Sequence, residues 1–551
     1  MKRFPATRVL LALGAAWLGT FAPNPLTQAQ TPPPSTPARI QSPAKSAPQF
    51  NLFYTGKRRS SLEPCGCRRK QEGGLQYEAT LYDMASPNLP AVKVDAGEWT
   101  NTHLEDNPVD ALKSAYLLRA FKLLGMDAVN VGAADVQLSA AWLNNLKQKY
   151  PQGLPPLISA NIFRKDHPAE HAFATHAIVR RKLADGNTIT IGITGATSCA
   201  TSDQFYAPPV NPGAPAGSPG SPSAPKAQDP ATLTQMAQGD YLIRSARDGL
   251  APLIAALRPK VDVLVVLYAG DFASGQALAK AFPQVNCVVL TRRASDPPTL
   301  AHLEGSVALF GVRLVRGGEV GQVIYQRKDH QPWAPAGQPQ LVAVGRAYPV
   351  KPALVGLINE FKKATRTLDV KIPDLSSITR IYAGATRCSQ CHLGIHQDWS
   401  ASRHAHALGA LVEKNQQFNP ECLKCHVTGF RKANGFYTVE DSLSQPMFNV
   451  QCEVCHGPAK EHADQERTLA TQEMLIKAHG ATWMTPEQLK ALRQRVKNTI
   501  PPRRVPETVC LKCHTPENDD HFVYVQKVQK INHHGRKDTE TRRRGDTEKS
   551  K

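Results

Sequence analysis

The sequence predicts a multidomain chain, with a layered α/β body over residues 49–330 and a mostly α-helical, loop-rich segment over 377–535. Two observations predict the first part: strand-like apolar runs alternate with amphipathic helical ones, and turn residues punctuate them. A third separates the second part. Beyond residue 376 Cys and His become dense and strand-like runs almost disappear.

In order along the body, NLFY, AVKVDAG, DAVNVG, PLISANI, TITIGITGA, VDVLVVLYA and VNCVVLT read as strands. PVDALKSAYLLRAFKLLG, VQLSAAWLNNLKQKY and YLIRSARDGLAPLIAALRP read as helices, because their apolar residues recur at helical spacing. The Asp185-Gly186 pair between VRRKL and TITIGI predicts a hairpin. Residues 207–229 are a Pro/Gly/Ser-rich insert within the body, and 331–376 read as a polar connector with a short helix near 352–367.

The N-terminus combines Lys2, Arg3 and Arg8 with a short apolar run and a small-residue site at Thr27-Gln28-Ala29, so 1–29 is expected to be a signal peptide and the protein periplasmic or otherwise exported. An uncleaved anchor is the alternative, and it leaves the body outside the cytoplasm as well. Residues 30–48 form a Pro-rich linker and 536–551 a basic tail. The formal charge is +20, from 66 Lys and Arg against 46 Asp and Glu, but residues 525–551 alone hold nine bases against four acids. The folded body is only modestly basic, which gives no case for nucleic acid as partner.

Four C-x-x-C-H motifs stand between residues 388 and 514. They are Cys388, Cys391 and His392; Cys422, Cys425 and His426; Cys452, Cys455 and His456; and Cys510, Cys513 and His514. Two thiols at this spacing can add across the two vinyl groups of haem, and the adjacent His then binds the iron from below. A lone motif also suits a zinc knuckle or a redox dithiol, but four in so short a segment favour four covalent c-type haems, with iron as the metal. Only Met447, Met474 and Met484 lie in this region, none in a ligand-like context.

The runs CSQCHLGIHQDWSASRHAHAL, CLKCHVTGFRKANGFY and CEVCHGPAKEH resemble the tetrahaem cytochrome c five-five-four family, electron acceptors of hydroxylamine oxidation, over about 380–535. The resemblance implies that His404, His462 and His533 each close one iron, with His534 as an alternative to His533. It also implies that the haem on His426 has no second protein ligand. His396, His406, His479 and His521 are spare candidates.

YTGKRRSSLEPCGC, residues 54–67, resembles the first motif of exported calcineurin-like metallophosphoesterases related to five-prime nucleotidases. In that family an Asp and a His hold one metal where this chain has Lys57 and Arg59. Glu98 stands in place of a bridging Asp, Ala133 and Ala134 replace Asn and His, Ala269 replaces a His, and Arg292 and Arg293 replace a Gly-His pair. A two-metal site depends on those ligands, so the body is expected to be a pseudoenzyme, and Lys57, Arg59, Arg292 and Arg293 are a candidate anion site. Packing is expected for Cys199 and Cys287, while a metal or redox role stays open for Cys65 and Cys67, which lie too close for an unstrained disulfide.

The expected function is exported electron transfer between a redox donor and acceptor, possible near a membrane, with an inactive phosphoesterase-like domain in front. The alternatives are reduction of a small nitrogen oxide at an open haem, and an active metal-dependent phosphoesterase.

Overall fold

Apolar strands whose side chains are buried on both faces must lie in the middle of a stack of layers, and the body is built that way. The computed structural model describes residues 47–64, 72–101, 108–151, 153–199, 235–291, 301–312, 317–328, 331–368, 379–502, 504–515, 518–519 and 521–531. The expected signal peptide, the insert at 207–229 and the basic tail lie outside them, as do Cys65, Cys67, Arg292, Arg293, His533 and His534.

Two mixed sheets form the centre of the body. In the first, strands Gln49–Thr55, Ala91–Asp95, Ala128–Asn130 and Leu157–Ile158 run parallel, and Glu319–Gln326 joins antiparallel to Gln49–Thr55. In the second, Thr188–Thr197, Val263–Ala269, Cys287–Leu290 and Val307–Gly311 run parallel, flanked by the antiparallel edges His176–Lys182 and Ala301–Glu304. Phe50, Leu52, Tyr54, Val92 and Val94 of the first sheet pack against Ile191, Ile193, Val263 and Val265 of the second in one buried cluster. The far face of the second sheet buries Leu250, Ile254 and Leu278 of helices Ala246–Leu257 and Phe272–Ala281. The expected α/β layers and hairpin are present, and so are the three helices, except that Tyr241–Arg244, read as the start of the third, is a strand paired with Ile162–Arg164, and the helix begins only at Ala246. PLISANI divides between two sheets, with Leu157–Ile158 in the first and Ile162–Arg164 in a small three-stranded one.

The stretch 331–376 differs from a free connector. Ala334–Pro335 and Gln340–Ala343 pair with Glu319–Gln326, which carries the first sheet beyond residue 330. Helix Pro352–Thr365 buries Leu354, Leu357, Ile358 and Phe361, and Phe361 meets Tyr116 of helix Pro108–Leu124 edge-on at 5.6 Å. Its apolar spacing was visible in the sequence, but the layer it covers was not.

The following segment is helical, from Ala385–Cys388 to Tyr524–Ile531. It rests on the body through charged contacts. Glu63 accepts from Gln416 at 2.6 Å and pairs with Lys362 at 2.8 Å, Arg366 pairs with Glu440, and Lys113 pairs with Glu421. Asp110 lies in the same contact, hydrogen-bonded to Glu421 and to Asn101. Burial and the neighbouring Glu421 push the Asp110 carboxyl up to about 6. Glu421, opposed by its own burial, is drawn down to about 2 by Lys113 and Asp110.

This junction predicts a pH dependence. An acid whose pKa is raised by folding favours the fold when protonated, so the Asp110 contribution is full below about pH 4 and lost as pH rises through about 6. The Glu421 contribution changes only below about pH 4.5, as its carboxylate is protonated. Chemical denaturation of the full chain at pH 5 and pH 7.5 should therefore show a loss of stability at the higher pH that is smaller in Asp110→Asn. An equal loss in both proteins would contradict the assignment.

Candidate functional site

At the carboxyl ends of the parallel strands, where α/β sheets place their ligands, several loops converge. Lys57 N donates to Gly97 O at 2.8 Å, Arg59 N to Glu98 O at 3.2 Å and Ser60 N to Trp99 O at 2.6 Å, tying the loop after Gln49–Thr55 to the loop after Ala91–Asp95. Lys57, Arg59, Ser60 and Glu98 all have positive φ, between 48° and 60°. Such a run in non-glycine residues is strained and is held only by surrounding contacts. At Gly132 a Cβ would meet Glu98 Oε1 at 2.6 Å and Ala269 Cβ at 3.1 Å, so the close approach requires glycine. Lys57, Glu98, Ala133, Ala134 and Ala269 are buried here and Arg59 is half-buried.

Among the described residues no group of three or more His, Cys, Asp or Glu side chains is placed to hold a metal ion. The Asp135 carboxylate receives N–H groups from Glu98, Thr100 and Gly132 at 2.7–3.0 Å, and burial with the nearby Glu98 pushes its pKa well up. Asn130 donates through Nδ2 to Ala96 O and Ala196 O, each at 2.9 Å, and so clips the two sheets together.

The cation at the heart of this region is Arg58, which sequence reasoning did not single out. Its side chain is 1% exposed, bonds both oxygens of Glu78 at 2.6 and 2.8 Å and reaches Asp95 at 3.4 Å. Tyr82 adds a 2.5 Å bond to Glu78. Burial works to lower the Arg58 pKa, but the two carboxylates outweigh it and the net shift is upward. Burial raises Asp95 against the pull of Arg58. The signal was a Glu one turn from a Tyr in the helix Leu75–Ala85, meaningful only once that helix faces the loop. Cys199 and Cys287 are buried, and burial pushes their thiols up to about 11 and 12, as packing residues.

The four C-x-x-C-H motifs lie on or beside short helices. Cys388 closes Ala385–Cys388, and His392 precedes Leu393–Ser400. The second motif lies within Pro420–His426, the third is Cys452–His456, and Cys510 closes Glu507–Cys510. They interlock across the chain. The Cys388 and Cys452 thiols hydrogen-bond each other, as do Cys425 and Cys513, and Cys455 lies beside Cys510 and Cys513. The motifs thus form a row: first, third, fourth, second. Their eight cysteines are all free thiols.

Three of the four motif imidazoles are held through Nδ1. His426 Nδ1 lies 2.6 Å from Ala407 O, His456 Nδ1 2.7 Å from Pro502 O and His514 Nδ1 2.9 Å from Asp519 Oδ2. A carbonyl or carboxylate oxygen only accepts, so each Nδ1 donates and each Nε2 is left as the coordinating nitrogen. This donor set fits haem iron. His404, in the turn Arg403–His406, is half-buried with its ring 6.1 Å from that of His514. Burial and the nearby His514 and His426 lower its pKa, which favours the neutral, ligating form.

The other candidates are dispersed. His462 lies in the first turn of Lys460–His479, and His479 ends that helix exposed. His396 packs on Trp399 at 5.2 Å, His406 Nε2 lies 3.1 Å from Ser400 O, and His521 is exposed. Met447 is buried in a cluster with Leu408, Leu411, Leu423, Val427 and Phe436. Met474 is exposed, and Met484 packs beside Leu489 and Leu492.

Residues 387–457 match the family model described as cytochrome c554 and c-prime, a span containing the first three motifs, and the match implies covalently bound haem. No curated protein matches the chain. Among solved structures, the chain is similar to the calcineurin-like phosphoesterase YfkN of Bacillus subtilis, at 12% identity and TM-score 0.42, over 58% of this chain and 98% of that one. It is similar to a 5'-nucleotidase precursor of Thermus thermophilus, at 15% identity and TM-score 0.42, over 67% and 68%. The sulfate thiohydrolase SoxB of the same organism is similar at 12% identity and TM-score 0.42, over 61% and 63%.

Replacing Arg58 would leave Glu78 and Asp95 buried without their cation, which typically costs about 3–5 kcal/mol. Arg58→Met should lower the denaturation midpoint of the full chain strongly, whereas Arg59→Met should do so far less. Equal effects would contradict the assignment.

Proposed function

We propose that the protein is an exported tetrahaem electron carrier whose α/β body is a catalytically inactive relative of the metallophosphoesterases. The observation that carries this reading is the interlocked row of four C-x-x-C-H motifs, in which thiols of neighbouring motifs approach one another. Sites that close suit electron passage from one to the next, and three of the four motif histidines present Nε2.

On this reading Cys388 and Cys391, Cys422 and Cys425, Cys452 and Cys455, and Cys510 and Cys513 would carry the haems, and His392, His426, His456 and His514 would hold their irons. Haem supplies one-electron chemistry when bound. His404 would hold the same iron as His514. Two imidazoles on one iron put their ring centres about 6 Å apart, taking a metal–nitrogen distance of about 2 Å on each side, and the observed separation is 6.1 Å. His462 and His533 are assigned to two further irons by the family resemblance, which leaves the His426 site open.

The inactive reading of the body rests on Lys57, Arg59, Ala133, Ala134 and Ala269 at positions where a metal centre needs ligands. Export rests on the N-terminal pattern and on the chemistry of c-type haem. Among the described residues no helix is long and apolar enough to cross a membrane.

Spin-state spectroscopy of the haem-loaded protein tests the assignment. The wild type should show one high-spin haem. His404→Ala should add a second, while His396→Ala should add none. Four low-spin irons in the wild type, or no change in His404→Ala, would overturn it. Turnover of nitric oxide at an open site would move the protein from carrier to reductase.

A further inference from the structure

The charges placed along the row differ from site to site, and this bears on the direction of electron flow. The inference rests on the tetrahaem reading above.

Glu453, between the thiols of the third motif, is buried at 4% exposure. Its carboxylate accepts N–H groups from Ala383 at 2.9 Å, Gly384 at 2.8 Å and Ala459 at 2.8 Å. Residues 383 and 384 lead into the first motif and 459 follows the third, so one carboxylate joins both sites. Its charge acts on Cys388 and Cys452 alike, and no cation among the described residues forms an ion pair with it. Nearby Arg387 and Lys460 share Asp464. All three are about a third exposed, so solvent weakens their field.

The fourth site has its own acid. Asp519 accepts the Nδ1 proton of His514, which makes that imidazole a stronger donor to iron. The second site differs from both. His426 donates to a neutral carbonyl, and Glu421 beside Cys422 is paired with Lys113, while Lys424 lies between its thiols as Lys512 does in the fourth motif. A buried negative charge favours the ferric over the ferrous state, because the ferric centre carries one more positive charge, and a more basic axial imidazole acts the same way.

We infer that Glu453 and Asp519 hold the first, third and fourth sites at lower potential than the second, so that electrons run along the row towards the motif Cys422–His426. One electron leaves a reduced donor protein docked at the first or third site, which is thereby oxidised. It is passed on to an acceptor reduced at the second, beside the junction with the α/β body.

Redox titration of the full-length haem-loaded protein, followed by absorbance and electron paramagnetic resonance, tests this. Covalent haem is counted first, since fewer than four in the wild type would contradict the tetrahaem reading itself rather than the gradient. With four present, one haem should titrate above the other three. Glu453→Gln should shift two of the lower haems upward, Asp519→Asn one, and Lys424→Gln should lower the highest together with that of the fourth motif, whose Cys513 it also faces. Four unchanged potentials in Glu453→Gln, or an equal shift of all four, would overturn the inference. Should Glu453→Gln fail to mature, Asp519→Asn at its partly exposed position decides it: an unmoved set of potentials there overturns the inference equally.

Discussion

The described residues beyond 379 bury few of their own apolar side chains, and this small core is the constraint on which the haem-motif region is built. Its described apolar clusters are small. One gathers Leu408, Leu411, Leu423, Val427, Phe436 and Met447, and the other Leu469, Leu489, Leu492 and Val496. A segment of this size with so little core usually relies on cross-links or a cofactor. Four motifs, each able to bind a large flat apolar ring at three points, are what the sequence offers instead. The short helices that carry them, some of a single turn, are too short to be stable alone.

Polar side chains do the remaining work of alignment. Gln451 accepts from Ala385 N at 2.6 Å and donates to Pro446 O and Phe448 O, while the neighbouring Glu453 gathers three more N–H groups. Trp399 donates to Val450 O at 2.8 Å from the helix after the first motif. These bonds bring the first and third motifs together although some sixty residues of chain separate them. The body makes the opposite choice. Its two sheets bury a continuous apolar interior, and its most deeply buried cation among the described residues, Arg58, is matched by Glu78 and Asp95.

Much of this was legible in the sequence, for identifiable reasons. Strands such as VDVLVVLYA, buried on both faces, announce themselves as unbroken apolar runs, and C-x-x-C-H carries its chemistry in its spacing. Arg58 was overlooked because nothing local distinguishes it from Lys57 and Arg59, and its partner Glu78 lies on a helix whose facing is a tertiary property. The role of residues 334–343 was hidden likewise, since short polar edge strands are defined by what they pair with. The order of the motifs in space, with the fourth between the third and second, is set by packing that spacing does not encode. His404 was reached through family resemblance, and its approach to His514 gives it a specific partner.

The central claim is that every motif carries covalent haem, and intact-mass measurement tests it most directly. Protein matured in a host that attaches c-type haem should carry four haem additions, with all eight motif cysteines resistant to thiol alkylation after denaturation. A mass short of four, with alkylation located at one or more of the motif pairs, would contradict the account.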